Sequence, residues 1–381
     1  MRIRWTTWWP VPYWTDRFNA LAVQDGVELE ICFLAEKSEL LPLSNDPASW
    51  RFKHRYLSSG ADRAGYYRRV FRVRNPWPLI RGRFDALVMT YADPICIAAA
   101  ICAKALGKPV FFFTGNTADD FRKANWLTER MKRAVLRLAT GMFVTGPAQR
   151  RYAEKYVGNS FPIYEIGNPV KRIATDEYLL ARRELRTQLG LSDADIALLF
   201  VGRLAAEKGL DDLFDALALC CARGLCPRLF LVGNGPERTR LGNEASKRGL
   251  PIEFHGLREG DELANRYAAA DVFVLPSLSE PWGLVVNEAM QFGLPLILSR
   301  RVGCRSVLLR PGQNGLDFEA GDVAALGDAI YNLAANRQLR IAMGQVSRRL
   351  IDSHTIENWV LAVVEAVKAS QRPQAQGRYT R

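Results

Sequence analysis

The stretch from Asp271 to Ser299, DVFVLPSLSEPWGLVVNEAMQFGLPLILS, constrains the fold more than any other part of the chain. Val272 to Leu275 is a short apolar run of strand type, Pro276 to Pro281 reads as a loop, and Leu284 to Phe292 has helical spacing with Gly293 as its stop. Strand, loop, helix and strand in that order are the repeating unit of a doubly wound sheet. Two carboxylates bracket the turn. Glu280 lies in the loop and Glu288 about a turn and a half inside the helix, so both can border one cavity at the strand's carboxyl end, the alternative being a loop acid plus a solvated helix acid. Between them the amides of Gly283, Leu284 and Val285 have no partners inside the helix and form an anion site, to which the helix dipole adds. Gly283 has no Cβ, which lets a ligand come close to the backbone.

At 381 residues the chain is long enough for two domains, each with its own core. Residues 1–175 read as alternating strands and helices. The strands are Ile3 to Thr7, Val27 to Leu34, Ala86 to Met89, Pro109 to Phe113, Met142 to Thr145 and Ile163 to Ile166. Pro94 to Leu106 reads as a buried helix and Glu129 to Leu138 as a basic one. Residues 35–83, rich in arginine and aromatics, read as irregular and exposed. A second series starts beyond the Pro-containing link Asn168 to Asp176. Its strands are Ile196 to Val201, Arg228 to Val232 and Ile252 to His255, and its helices Glu177 to Leu189, Leu210 to Cys221, Glu259 to Ala269 and Val323 to Asn336. The expected fold is α/β, with two doubly wound, Rossmann-like halves facing across a cleft that holds the ligands.

Hydrophobic content of 48% and charged content of 24% are ordinary for a soluble globular protein. The longest apolar stretch, Pro94 to Ala103, falls short of the roughly 18 to 20 residues a membrane span needs. The N-terminus lacks the apolar region of a signal peptide, so a cytoplasmic location is expected. Seven cysteines, odd in number and without framework spacing, read as free thiols. Residues 1–175 carry 27 Lys plus Arg against 15 Asp plus Glu, whereas residues 176–381 carry 25 of each, so all of the positive excess is in the first half. There it is interleaved with Trp50, Phe52, Tyr56, Tyr66, Tyr67, Phe71 and Trp77. Two readings stay open: a solvated basic surface, or a face on an anionic membrane leaflet with Arg68, Arg69, Arg72 and Arg74 in contact. Nucleic acid is not expected, because no recognition module accompanies the charge.

Three other strand ends carry chemistry. In LLFVGRLAAEKGLDDL, Gly202 allows a tight exit, and Arg203 and Lys208 are two cations suited to a diphosphate, unless the loop is merely solvated. In LFLVGNGPERTRL, Gly233 and Gly235 lack the third glycine of a dinucleotide fingerprint and read as a tight turn. In FHGLREGDEL, backbone after the strand is placed to meet a flat base, and His255 reads as a structural histidine more than a catalytic one. Asp193 and Asp195 sit in a polar turn rather than a metal motif. Carboxylates for hydroxyls, with amides and cations for phosphate, suit an anhydride-linked sugar.

The segments VGRLAAEKGL, VGNGPE, FHGL, ADVFVLPSLSEPWGLVVNEAM and GLPLILS occur in an order and spacing that resembles glycosyltransferase family 4. That family comprises retaining, nucleotide-sugar-dependent enzymes of GT-B fold. The resemblance implies an N-terminal acceptor domain (1–168) and a C-terminal nucleotide-sugar domain (169–354). It also implies a helix near 355–370 that packs back on the first domain, ahead of a polar tail (371–381). It assigns Arg203 and Lys208 to the donor phosphates, Glu280 to the transferred sugar, Glu288 to the ribose, and Gly283, Leu284 and Val285 to phosphate and sugar. It implies neither cofactor nor metal, the leaving phosphate itself helping to deprotonate the acceptor. One departure is clear. Many members place a histidine after a mid-domain strand of the first half, where this chain has TGNTADD and histidines only at 54, 255 and 354. Either Asn116 or a neighbouring polar residue takes over the sugar contact, or activity is altered. The expected function is transfer of a sugar to a cell-envelope glycan or lipid-linked acceptor. The competing readings are a nucleotide-sugar epimerase and a catalytically weak homologue that binds an anionic polymer or membrane.

Overall fold

The computed structural model describes residues 1–38, 46–57, 61–62, 77–92, 94–117 and 126–371. They fall into two compact units: the described residues of 1–116, 126–167 and 356–371 form the first, and Thr117 with residues 168–355 the second. Both are built on parallel sheets covered by helices, as the strand–helix alternation implies.

The strands of the first unit are β1 (Arg2–Thr7), β2 (Glu28–Phe33), β3 (Lys37–Ser38), β4 (Lys53–Tyr56), β5 (Ala61–Asp62), β6 (Ala86–Met89), β7 (Val110–Thr114), β8 (Gly141–Val144) and β9 (Ile163–Glu165). Seven of them form one sheet in the order β4-β2-β1-β6-β7-β8-β9, and β3 pairs with β5. The helices are α1 (Pro12–Ala22), α2 (Trp77–Ile80), α3 (Pro94–Ala105), α4 (Trp126–Leu138) and α5 (Pro147–Val157). Strands buried on both faces read as continuous apolar runs. In β6, Ala86 and Val88 enter one core while Leu87 and Met89 enter the other. The first core is aromatic. Trp5 lies 5.7 Å from Trp14, 5.5 Å from Phe18 and 5.7 Å from Trp359, ring centre to ring centre. Trp359 comes from the C-terminal helix Ile356–Gln371, which packs along α1. The second core takes Cys96, Ala99, Ala100 and Ala103 from α3. That helix is buried on one face only, since Ile101 on its other face is 53% exposed.

The segment expected to be irregular contains a strand. β4 pairs with β2 from Glu30↔Lys53 to Phe33↔Tyr56, and Trp50, Phe52 and Tyr56 pack around Phe33. The residues proposed for membrane contact, Arg68, Arg69, Arg72 and Arg74 with Tyr66, Tyr67 and Phe71, lie outside the described residues.

The second unit has strands β10 (Ala197–Val201), β11 (Arg228–Val232), β12 (Ile252–Gly256), β13 (Val272–Leu275), β14 (Leu296–Ser299) and β15 (Gly315–Phe318), in the order β12-β11-β10-β13-β14-β15. Its α-helices ahead of β14 are α6 (Thr175–Leu180), α7 (Arg182–Gln188), α8 (Leu210–Ala222), α9 (Arg238–Arg248), α10 (Gly260–Ala269) and α11 (Leu284–Gln291), and Val323–Ala335 and Arg337–Ile351 are the long helices beyond β15. The single helix expected over Glu177 to Leu189 is two, meeting at Ala181. Beyond that break, Arg182 and Arg186 grip the carboxylate of Asp271 at 2.7 and 2.9 Å, and Asp271 also accepts the Ala197 amide at 2.8 Å. One half-buried carboxylate thereby joins the amino ends of β10 and β13 to α7.

Cys221 and Cys226 form a disulfide, contrary to the expectation of seven free thiols. The chain reverses after α8 through bonds from the Arg223 and Leu225 amides to Cys220, which brings the two Cα atoms to 4.1 Å. Cys32, Cys96, Cys220 and Cys304 are buried thiols outside the disulfide. No helix among the described residues is long and apolar enough to cross a membrane.

Truncation of a fully buried indole leaves a cavity that neighbours fill only in part, at roughly 3–5 kcal/mol. Trp359→Ala should lower the stability of the first unit by about that amount in urea melts followed by tryptophan fluorescence. A loss below about 1 kcal/mol would mean that the C-terminal helix is not integral to that core.

Candidate active site

The loops at the carboxyl ends of β10, β11, β12 and β13 are bound to one another through their backbones. The Gly202 amide donates to Val232 O at 2.9 Å, that of Leu204 to Asn234 O at 2.9 Å, and that of Gly233 to Gly256 O at 2.8 Å. A Cβ on Gly233 would lie 1.9 Å from Gly202 O, and one on Gly235 2.2 Å from Leu204 O. These two glycines are spent on close backbone approach, in keeping with a turn rather than a phosphate loop. Gly209, at φ +64°, makes the same approach to β13: a Cβ there would meet Pro276 O at 2.3 Å. The Leu278 amide donates to Glu207 O at 2.9 Å beside it.

That approach sets two of the expected residues together. Lys208 Nζ donates to Glu280 Oε2 at 2.5 Å, and both side chains are about 15% exposed. Arg203 lies on the same loop, paired with Glu207 and more exposed. Glu280 is fixed in turn by the segment after β14, with Gly303 N donating to Glu280 O at 2.8 Å and Cys304 N to Trp282 O at 3.0 Å. Gly283 then enters α11 at φ +94°, beside the Glu280 side chain. No side chain caps this helix, so the amides of Leu284 and Val285 face outward without a partner inside it. A cation, two carboxylates and a helix N-terminus thus lie along one turn. Such a set can hold a phosphate at the amides and Lys208 while Glu280 meets an adjacent hydroxyl.

Glu288 is held differently. The Tyr267 hydroxyl, from α10, donates to Glu288 Oε2 at 2.8 Å, and Tyr267 is itself buried and stacked on Phe292. Burial raises the Glu288 carboxyl above the ordinary range, and the Tyr267 hydrogen bond opposes it. Sequence reasoning missed Tyr267, because a tyrosine on the inner face of an amphipathic helix looks like core. It also missed Asn287, buried, which accepts from Trp282 Nε1 at 3.1 Å and donates to Asn168 O at 3.3 Å. Ser277, fully buried in the loop before Glu280, has a hydroxyl without a partner among the described residues.

His255 has no contact with this group among the described residues. Its Nδ1 accepts from Arg266 Nε at 3.1 Å, and its ring meets Phe230 edge-on at 4.9 Å. Burial, with Arg266 alongside, lowers its pKa and keeps it neutral. Asn116 is exposed after β7 in the first unit, its amide bonded to Thr114 Oγ1 at 3.3 Å. Asp195 closes a turn by accepting the Ser192 amide and hydroxyl at 2.6 and 2.7 Å.

Residues 181–350, which contain Arg203, Lys208, Glu280 and Glu288, match the family described as glycosyl transferases group 1. That segment, 170 of the 381 residues, is where the likeness to the group 1 transferases lies. The chain is 34% identical over 169 residues to sulfoquinovosyl transferase SQD2 of Arabidopsis thaliana, covering 44% of this chain and 32% of that protein. It is 41% identical over 106 residues to the GDP-mannose-dependent alpha-(1-6)-phosphatidylinositol dimannoside mannosyltransferase of Mycobacterium tuberculosis, covering 28% of this chain and 27% of that one. The matched stretches span less than half the length of these curated relatives. Among solved structures, a sucrose-phosphate synthase from Thermosynechococcus elongatus superposes with a TM-score of 0.74 at 20% identity, covering 97% of this chain and 98% of the other. Anabaena HepE in complex with UDP and glucose gives 0.74 at 17% identity, covering 96% and 99%. The fold is GT-B.

A carboxyl whose pKa is raised by folding favours the native state while protonated, and that contribution is lost as pH rises through the folded pKa. Wild type should therefore lose stability relative to Glu288→Gln as pH climbs above the ordinary carboxylate range. Tyr267→Phe removes the opposing hydrogen bond, so in that variant the loss should extend to higher pH. Urea melts across pH read both effects, and an unchanged or lower window in Tyr267→Phe would contradict the assignment.

Proposed function

We propose that the chain is a retaining glycosyltransferase that moves a sugar from a nucleotide-diphosphate donor to a cell-envelope glycan or lipid-linked acceptor. The observation that carries this reading is the Lys208–Glu280 contact beside the uncapped N-terminus of α11. It sets a phosphate-binding group against a sugar-binding one, which is the geometry that cleavage of a sugar–phosphate bond requires. In this reading Lys208, Arg203 and the amides of Leu284 and Val285 stabilise charge on the leaving diphosphate, without a metal. Gly202 and Gly283 leave room for the ligand, Glu280 orients the transferred sugar, and Glu288, oriented by Tyr267, takes the ribose hydroxyls. His255 supports the nucleotide side through its position in β12. The relatives above, a sulfoquinovosyl and a mannosyl transferase, support sugar transfer and leave the sugar open.

Peripheral contact with an anionic cytoplasmic leaflet belongs to the same reading. α4 supports it, with Trp126 70% exposed and Arg130, Arg133 and Arg137 exposed along one stripe of the helix. Replacing these three arginines by Gln should weaken cosedimentation with phosphatidylglycerol vesicles, and equal sedimentation would remove this part of the proposal.

Donor turnover by purified protein against a panel of nucleotide sugars is the primary test. Glu288→Ala should mainly raise the donor KM, whereas Glu280→Ala should chiefly lower kcat. Lys208→Ala or Arg203→Ala should cost roughly 2–4 kcal/mol of transition-state stabilisation, the scale of a lost oxyanion donor. Chelator should leave the wild type active. Wild-type kinetics in folded Glu280 and Glu288 variants would sink the site, and rescue by a divalent ion after chelation would sink the metal-free mechanism.

A further inference from the structure

The other end of the first unit's sheet carries a charged cavity that the proposed transfer does not use. Because side chains alternate along a strand, Arg2 and Arg4 of β1 share one face with their partners Glu28 and Glu30 of β2, and with Lys53 and Arg55 of β4. With Arg83 they line a cavity of about 250 Å³ at the amino ends of these strands. Ligands of doubly wound folds bind at the carboxyl ends. This is the opposite end.

The charges on this face do not cancel. Glu30 is saturated by two arginines, Arg4 Nε at 2.7 Å and Arg55. Arg4 is almost fully buried, bonds Leu79 O at 2.9 Å, and lies over the Phe84 ring, so its guanidinium is held rigidly. Among the described residues, Glu28 pairs with Arg2 alone, at 3.6 Å. Lys53 and Arg83 are exposed and have no ion-pair partner among the described residues. Five cations therefore face two carboxylates on strands spaced about 4.8 Å apart, an arrangement that repels itself unless an anion enters.

We propose that this cavity is a second anion site, specific for a phosphate or diphosphate group. Its volume falls below the roughly 300–1,000 Å³ of pockets for drug-sized ligands, which suits a small charged group rather than a whole nucleotide sugar. Arg4, committed to Glu30 and Leu79 O, forms a fixed rear wall, and the exposed Lys53 and Arg83 at the rim match phosphate recognition, in which arginine supplies directional donors and lysine a point charge. The phosphate can be free or carried on a lipid headgroup, and the two sources separate experimentally.

The test uses the full chain carrying Arg203→Gln and Lys208→Gln, which weakens the proposed donor site so that it does not mask the second one. Pyrophosphate titrated calorimetrically at about 150 mM salt, where exposed charges are screened beyond roughly 8 Å, should show one binding event. Adding Lys53→Gln and Arg83→Gln should weaken it about tenfold or more, with thermal melts unchanged because both side chains are exposed. Loss of cosedimentation with phosphatidic acid vesicles on adding the same pair, without pyrophosphate binding, would assign the phosphate to a lipid. Absence of both effects, or pyrophosphate and vesicle binding that the pair leaves unchanged, would overturn the proposal. These outcomes are independent of donor turnover.

Discussion

The site in the second unit depends on how closely four strand-end loops approach. Backbone meets backbone where Gly233 faces Gly202, Gly235 faces Leu204 and Gly209 faces Pro276, at separations that leave no room for a methyl group. Two charged side chains on separate loops reach each other only if both loops are held to within a few tenths of an ångström. The Lys208–Glu280 contact is therefore a product of glycine placement as much as of charge attraction. A largely shielded pair of this kind gains little net stability, yet losing one partner strands the other charge. Under the proposed function, a phosphate would offer Lys208 a second anion, so the lysine would not be left unpaired if Glu280 turned to a sugar.

A different interaction anchors the far end of the same sheet. Asp271 opens the central stretch, and its two oxygens tie α7, β10 and β13 together through Arg182, Arg186 and the Ala197 amide. Arg186 also reaches the carbonyls of Ala269, Ser192 and Asp195. The strand that delivers Glu280 is thus clamped at its amino end by charge and at its carboxyl end by close packing. Glu288, one helix layer away, is set by a third device, a buried tyrosine hydroxyl.

Most of this architecture was legible before any coordinates, because parallel strands buried on both faces leave a strong signal in runs such as VFVL and LFLV. The carboxylates were legible through their spacing across a strand–loop–helix unit. What was missed has physical causes. β4 reads KHRY, a strand at a sheet edge with one charged face, and its aromatic packing on Phe33 comes from residues on both sides of it. The break at Ala181 does not disturb helical periodicity, and its reason, two arginines converging on Asp271, lies some ninety residues away. The Cys221–Cys226 bond depends on a chain reversal that cysteine spacing alone does not reveal. Tyr267 looked like core because it is core, with a polar tip that finds a carboxylate.

The C-terminal helix has a consequence for how the molecule is made. Trp359, Val363 and Val367 belong to the same core as Trp5, Phe18 and Phe111. Synthesis releases the strands of the first unit early, but the side chains that complete their aromatic core leave the ribosome only after all of the second unit. The half that is made first is therefore finished last. In the interval that face of its sheet has α1 over it but not the C-terminal helix.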